Sequence, residues 1–525
     1  MSTLMPSSAI CYLLPMLLTI APVHAASLPA GVDPAQVLAV YPLPRDARPE
    51  QVILLQGVEK DGRFEISEHT LPASTPAPDA PGPMPLGANL LEGMTKRTFG
   101  IEERVSATLQ DGRLRIACRP GARPAGVLLQ GPWYLPRADV VLQAAFSGAG
   151  RFTWQAADAR LAAREGALDL GVVAAADKVN NARLALAPNL DRASWRQFTL
   201  LCPQDGGQLT LDALTLEPAA AAPGRPPRST WAWDRSEWRE RGDALIDWAA
   251  GQGLGEVFVT VPLLEGRVAE PEALAAFVRR AGARGVAVTA VEGDPHMVLP
   301  EQHAASSARA RAYAAYNAGV EPAARLKGIQ FDVEPYLLPA TVLDPALRDR
   351  RFLELSAALR QAAGSMALEF VVPFWWDGKR ELLRELARHA DGLAVMDYRT
   401  DPGQIQRFAA PFLDWGVEHG KRVRIALEAG PIAAEEQRRY RRVEAGAKGD
   451  LLLTEHEGRQ VLVLLRAPAV VAQGRMYALG GSRIIDGSAT TFHGDKAAMM
   501  RLLPQLESVF GAWKSFNGMA LHELR

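Results

Sequence analysis

The stretch Leu326–Tyr336, LKGIQFDVEPY, decides the reading of this chain. Ile329 and Phe331 are apolar and β-prone, so its first half reads as a buried strand. Asp332 and Glu334 stand two apart, which in an extended chain points both carboxylates to one side before Pro335 ends the ladder. Two like charges at the end of an apolar strand are costly unless paired or used, and each raises the other's pKa. A structural pair, neutralised by an arginine such as Arg399 or Arg424, and a working acid are both open at this point.

Working outward, Thr230–Trp233, Glu256–Val261, Val286–Val291, Leu368–Pro373, Leu393–Met396, Val423–Leu427 and Gly518–Leu521 read as seven further strands. Segments of helical period separate them, as in Pro271–Gly285 and Phe352–Ala363. The pattern predicts a (β/α)8 TIM barrel over residues 229–525, with a small β-rich insertion at about 433–491.

Upstream the period changes. Residues 86–217 carry short strands at regular spacing and an Asp111-Gly112 hairpin signal, predicting an all-β sandwich of jelly-roll type. Residues 218–228 read as a linker. Residues 26–85 read as a short N-terminal segment and a Pro-rich linker. Residues 1–25 hold an apolar run ending Val23-His24-Ala25, which reads as a signal peptide cleaved after Ala25 and predicts a secreted or periplasmic protein. No later stretch is long and apolar enough to span a membrane. Removal of Cys11 would leave Cys118 and Cys202, either bridged or as two buried thiols. With 58 basic and 59 acidic residues, nothing marks a nucleic-acid partner.

The residues at the strand ends are acids interleaved with rings. They are Trp233 and Asp234; Glu292 and His296; Asp332 and Glu334; Trp375, Trp376 and Asp377; Met396, Asp397 and Tyr398; Glu428; and His522 with Glu523. Carboxylates move protons and bind hydroxyls, while flat rings stack on pyranose faces, so this set predicts a carbohydrate substrate. Glu334 after the fourth strand and Glu428 after the seventh resemble the placement of acid/base and nucleophile in retaining barrel glycosidases, and the resemblance implies those roles for them. Asp294 and His296 are the only hint of a metal site, and without a His-x-His at the first strand no metal and no cofactor is expected.

GIQFDVEPY, together with Met396-Asp397-Tyr398, resembles the signatures of family 18 glycoside hydrolases, the chitinase-like enzymes. The resemblance implies Glu334 as general acid, Asp332 orienting an acetamido group of the substrate, and Tyr398 binding that group's oxygen. Lys327 and Gln330 stand where the family carries acids. The residues before the barrel resemble the carbohydrate-binding sandwiches of secreted glycosidases in architecture, with Trp133, Tyr134 and Trp154 as possible stacking rings or core aromatics. The expected activity is glycoside hydrolysis; the alternative is a non-catalytic glycan-binding barrel.

Overall fold

The computed structural model describes residues 32–43, 49, 51–70, 81–100, 102–158, 167–186, 195–220, 226–339, 342–456 and 458–525. The expected signal peptide lies outside the described residues.

Eight parallel strands close into a barrel: Arg228–Ala232, Leu254–Val259, Ala287–Glu292, Gly328–Phe331, Ala367–Pro373, Gly392–Met396, Arg422–Glu428 and Phe516–His522. The first strand pairs with the last through Ser229 and Thr230. Strand alternation sorts the side chains. Ile329, Phe331, Phe370, Val423 and Ile425 join the large core outside the barrel wall, where Phe331 stacks on Phe370 and Phe352 of helix Arg348–Ala363 meets that ring edge-on. Val371, Ala394, Met396, Ala426 and Ala520 form a separate apolar layer with Tyr398, flanked by Trp231 and Tyr336. The short side chains of that layer leave room for the two large rings.

The expected fold class, a sandwich followed by a (β/α)8 TIM barrel with a small insertion, needs correcting. Among the described residues, strand residues outnumber helical ones. Among the described residues no helix follows the last barrel strand. The crossover between the seventh and eighth strands runs through four antiparallel strands, Glu435–Arg442, Gly449–His456, Arg459–Ala469 and Arg475–Ile485, before helix Lys496–Phe510.

Those four strands are not a small appendage. They pair with Val37–Pro42, Val52–Lys60 and Arg63–Thr70 from the start of the chain in one seven-stranded antiparallel sheet. Ile53, Leu55, Phe64, Tyr440, Leu453, Leu462 and Tyr477 fill its inner face. Neither half can bury that face alone, so segments about 380 positions apart fold as one body, as the Gln56 to Glu435 hydrogen bond (separation 379) illustrates.

In sequence, between strand Arg63–Thr70 and the first barrel strand, lies a β-sandwich. Its two sheets share the 19-residue strand Val140–Asp158, whose first half pairs with Gly207–Pro218 and whose second half pairs with Trp195–Leu201. Gly148 (φ 136°) and Gly150 (φ 114°) supply the backbone freedom where the strand passes from one sheet to the other. Trp154 and Phe152 are fully buried there. A disulfide joins Cys118 to Cys202, with Cα atoms 5.8 Å apart, and ties strand Arg113–Cys118 to the residue after Trp195–Leu201. Closing the 84-residue loop contributes roughly 4–5 kcal/mol in the chain-entropy picture.

The sandwich is fixed to the barrel by Asp414, buried in helix Pro402–His419. One oxygen accepts from the Trp513 indole and from the Arg137 backbone N–H, both at 2.7 Å. Burial pushes its pKa up to about 6 against the pull of those donors. No described helix is long and apolar enough to cross a membrane.

Candidate functional site

The carboxyl ends of the barrel strands gather the acids and rings. Glu428 ends the seventh strand and is buried. Its Oε2 lies 2.8 Å from Nδ1 of His522, which ends the neighbouring eighth strand. Its Oε1 accepts the backbone N–H of Gly430 at 2.6 Å. Each carboxylate oxygen thus has a fixed donor, and the group is held in one orientation. The other ring nitrogen of His522 receives the Trp233 indole N–H at 3.4 Å, and Tyr398 stacks on the imidazole with centroids 6.1 Å apart. Burial works against the charged imidazolium. The hydrogen bond and charge of Glu428, helped by Glu523 and Asp332, outweigh it and hold His522 above its ordinary value.

Glu334 follows the fourth strand and is buried; Tyr336, two residues on, donates its hydroxyl to Glu334 Oε2. The Tyr336 ring meets Trp375 edge-on at 5.3 Å, and Trp375 is 40% exposed, the most solvent-facing ring of the group. Asp332 is buried and reaches His522 electrostatically; its backbone and Cβ approach Gly293, as does the Trp233 ring. Asp332, Trp233, His522, Tyr398 and Glu428 therefore form one connected cluster, and Glu334, Tyr336 and Trp375 a second beside it.

The remaining expected site residues sit elsewhere. Glu292 is buried but turns toward helix His303–Gly319, where Arg309 pairs with it at 2.8 Å and Tyr313 donates to it. Burial still holds Glu292 above the usual carboxylate range. Asp294 caps the turn Pro295–Val298 and bonds His296, and both are exposed. Asp234 is exposed and closes a turn onto Ser236, which holds its pKa low. Trp376 is core, edge-on to Phe352 at 5.1 Å. Asp377 is exposed and accepts from Gly378 N–H. Met396 lies in the apolar layer inside the barrel. Glu523 is exposed, and its backbone oxygen accepts from Lys496. Asp397 is fully buried at the end of the sixth strand. Neither of its carboxylate oxygens has a hydrogen-bond partner among the described residues, and burial raises its pKa well above the ordinary value.

Lys327 and Gln330, which replace the acids of the chitinase-like pattern, have other work. Lys327 pairs with Glu256 at 2.6 Å, while Gln330 bridges the Trp231 indole and Glu369 at 2.6 Å each. These positions serve the amino-terminal half of the barrel. Tyr336 and Gly430 were not singled out from sequence. Both lie two residues beyond a predicted acid, a spacing that brings a donor back onto a carboxylate when the chain turns.

No protein-family model matches the sequence, and no curated protein matches it. Solved structures similar to parts of it include a family 29 carbohydrate-binding module (13% identity, 24% of this chain and 78% of that one, TM-score 0.20). Another is a family 29 module from Piromyces equi (7% identity, 26% and 86%, TM-score 0.20). The CBM22-1–GH10 modules of a Clostridium thermocellum endo-1,4-β-D-xylanase, complexed with xylohexaose, match over 64% of this chain and 79% of that one (11% identity, TM-score 0.27). Likeness at these levels assigns nothing to this chain.

Proposed function

We propose that the protein binds carbohydrate at the carboxyl-end face of its barrel and hydrolyses a glycosidic bond there. The observation that carries this reading is the chain Glu428–His522–Trp233 across the ends of the seventh, eighth and first strands, with Glu334 buried beside it on the fourth. A carboxylate fixed by two donors is oriented to attack or to stabilise an oxocarbenium-like centre. A second acid, bonded by a tyrosine hydroxyl, supplies the proton to the leaving oxygen. Trp233 and the exposed ring of Trp375 offer faces for pyranose rings. Export to an oxidising compartment, expected from the apolar leader, is supported by the Cys118–Cys202 bond.

The test is incubation of the purified protein with a panel of polysaccharides, scored for new reducing ends. Glu334→Gln and Glu428→Gln should each lower turnover by roughly three orders of magnitude or more. Full activity in Glu334→Gln would end the hydrolytic reading. A second reading, glycan binding without cleavage, is favoured by one observation: both oxygens of Glu428 and one of Glu334 are already engaged by protein donors. Retained binding with no new reducing ends from the wild-type protein would select it.

A further inference from the structure

A groove of about 480 Å³ runs between the sandwich and the barrel. Its sandwich wall is Pro83 and Trp133, from the short paired strands Gly82–Pro83 and Trp133–Tyr134. Its barrel wall is Gln406 and Arg407 of helix Pro402–His419, with Trp513 behind. The volume lies within the range of small-ligand clefts.

Three features make this groove more than a seam. The six-membered ring of Trp133 lies against Gly93 and Gly131, and a Cβ at either position would collide with it. The two glycines therefore fix a large, half-buried indole beside the groove. Arg407 is exposed and contributes no carboxylate pair among the described residues; its guanidinium rests over the Phe408 ring at 5.2 Å. Rings also connect the groove with the acid. Tyr336, which bonds Glu334, meets Trp375 at 5.3 Å; Trp375 meets Phe374 at 5.2 Å; Phe374 meets Phe408 at 4.5 Å. Arg399 lies over Phe374 at 4.3 Å along the same path. Helix Pro402–His419 begins just after the sixth strand's carboxyl end, so its first turn starts from the same face of the barrel as the candidate site.

A flat ring held rigidly, with a guanidinium beside it and an aromatic path to a buried acid, matches an extended glycan. Pyranose faces stack on such rings, and hydroxyls accept from guanidinium and amide donors. We propose that this groove is an accessory subsite for the distal residues of a long glycan, with Trp133 as platform and Arg407 as hydroxyl donor. The proposal rests on the carbohydrate reading above and adds a substrate class to it: chains of several sugar units rather than disaccharides.

The experiment measures binding of the full-length protein to di- through hexasaccharide ladders of gluco-, xylo-, manno- and N-acetylglucosamine series by calorimetry. The wild-type protein is compared with Trp133→Ala and Arg407→Ala. For a series that binds, Trp133→Ala should weaken the hexasaccharide on the order of tenfold and leave the disaccharide unchanged. Arg407→Ala changes an exposed side chain, so it tests the groove even if Trp133→Ala fails to fold; it should weaken the hexasaccharide several-fold. Wild-type affinity for the hexasaccharide in both variants would overturn the subsite and leave the carbohydrate reading standing. Equal losses for short and long chains would also overturn it. If the wild-type protein binds no series, the carbohydrate reading fails and the subsite falls with it.

Discussion

The two ends of the barrel treat charge in opposite ways. At the amino-terminal end, around a cavity of about 390 Å³, every buried charge has a partner. Arg424, fully buried, pairs with Glu256 at 3.0 Å and Glu369 at 3.3 Å and donates to Ser229. Glu256 also takes Lys327 and the Thr289 hydroxyl, and Gln330 caps Glu369. Burial alone would push Glu256 up, but Arg424 and Lys327 bring it below the ordinary carboxylate value. At the carboxyl end, His522 and Asp397 are held above theirs. The amino-terminal set is compensated charge, a structural device. The carboxyl-terminal set is shifted toward the protonated form instead, by burial at Asp397 and by Glu428 at His522.

The sharpest way to break this contrast is Arg424→Met. Removing one partner of a buried network leaves Glu256 and Glu369 short of charge, and a loss of about 3–5 kcal/mol in unfolding free energy is expected. Denaturant unfolding of the purified protein measures it. A change within about 0.5 kcal/mol, the range of an ordinary surface substitution, would mean that the network carries no structural weight. The pH signature has a definite sign. Glu256 has a depressed folded pKa, so its contribution is present above the ordinary carboxylate pKa and is lost as pH falls through the folded one.

Much of this was legible in the sequence and part was not. Short apolar runs such as Gly392–Met396 announce themselves because a strand buried on both faces needs nearly continuous apolar side chains. Glu428 and His522 were readable as strand-end residues; that they bond each other was not, since the pairing of the seventh and eighth strands sets it. The seven-stranded sheet was illegible for the same kind of reason. Val52–Lys60 and Glu435–Arg442 each look like isolated strands, and nothing local says that they meet. Glu292 misled because an acid after a strand looks the same whether it turns to the lumen or to the helix bearing Arg309 and Tyr313. Lys327 and Gln330 were visible departures from the chitinase-like pattern, but their partners Glu256 and Glu369 lie on other strands.

A smaller effect sharpens the carboxyl end. Glu428→Gln removes the main group that raises His522, so the imidazole should titrate at lower pH than in the wild-type protein, read by NMR of the ring protons. The lost charge-assisted hydrogen bond should cost about 2 kcal/mol at pH 6. Because the folded pKa of His522 is raised, its contribution is full below the ordinary histidine value and disappears as pH rises through the folded one. The stability difference between wild type and variant should therefore shrink from pH 6 toward pH 9. A His522 titration unmoved by the substitution would show that Glu428 does not govern it.

The smallest effect at neutral pH is expected at Asp397, and it is the most discriminating. The side chain is fully buried, neither oxygen is hydrogen-bonded among the described residues, and burial raises its pKa against the pull of Arg399. An acid with a raised folded pKa stabilises most below its ordinary value and loses that contribution as pH rises through the folded one. Asn has nearly the same shape and cannot ionise. Asp397→Asn should match the wild type near pH 3.5 and be more stable by about 1 kcal/mol at pH 7 to 8. The gap should follow a single titration in unfolding experiments across that range. If Asp397 is only a core residue, reducing-end release stays at the wild-type level while stability rises. If it serves the site, activity falls as stability rises, because a charge that the fold would do better without is kept for its chemistry. A variant less stable than wild type at every pH would mean that the carboxyl makes a contact worth more than its burial costs, and would move Asp397 to the side of the paired charges at the other end of the barrel.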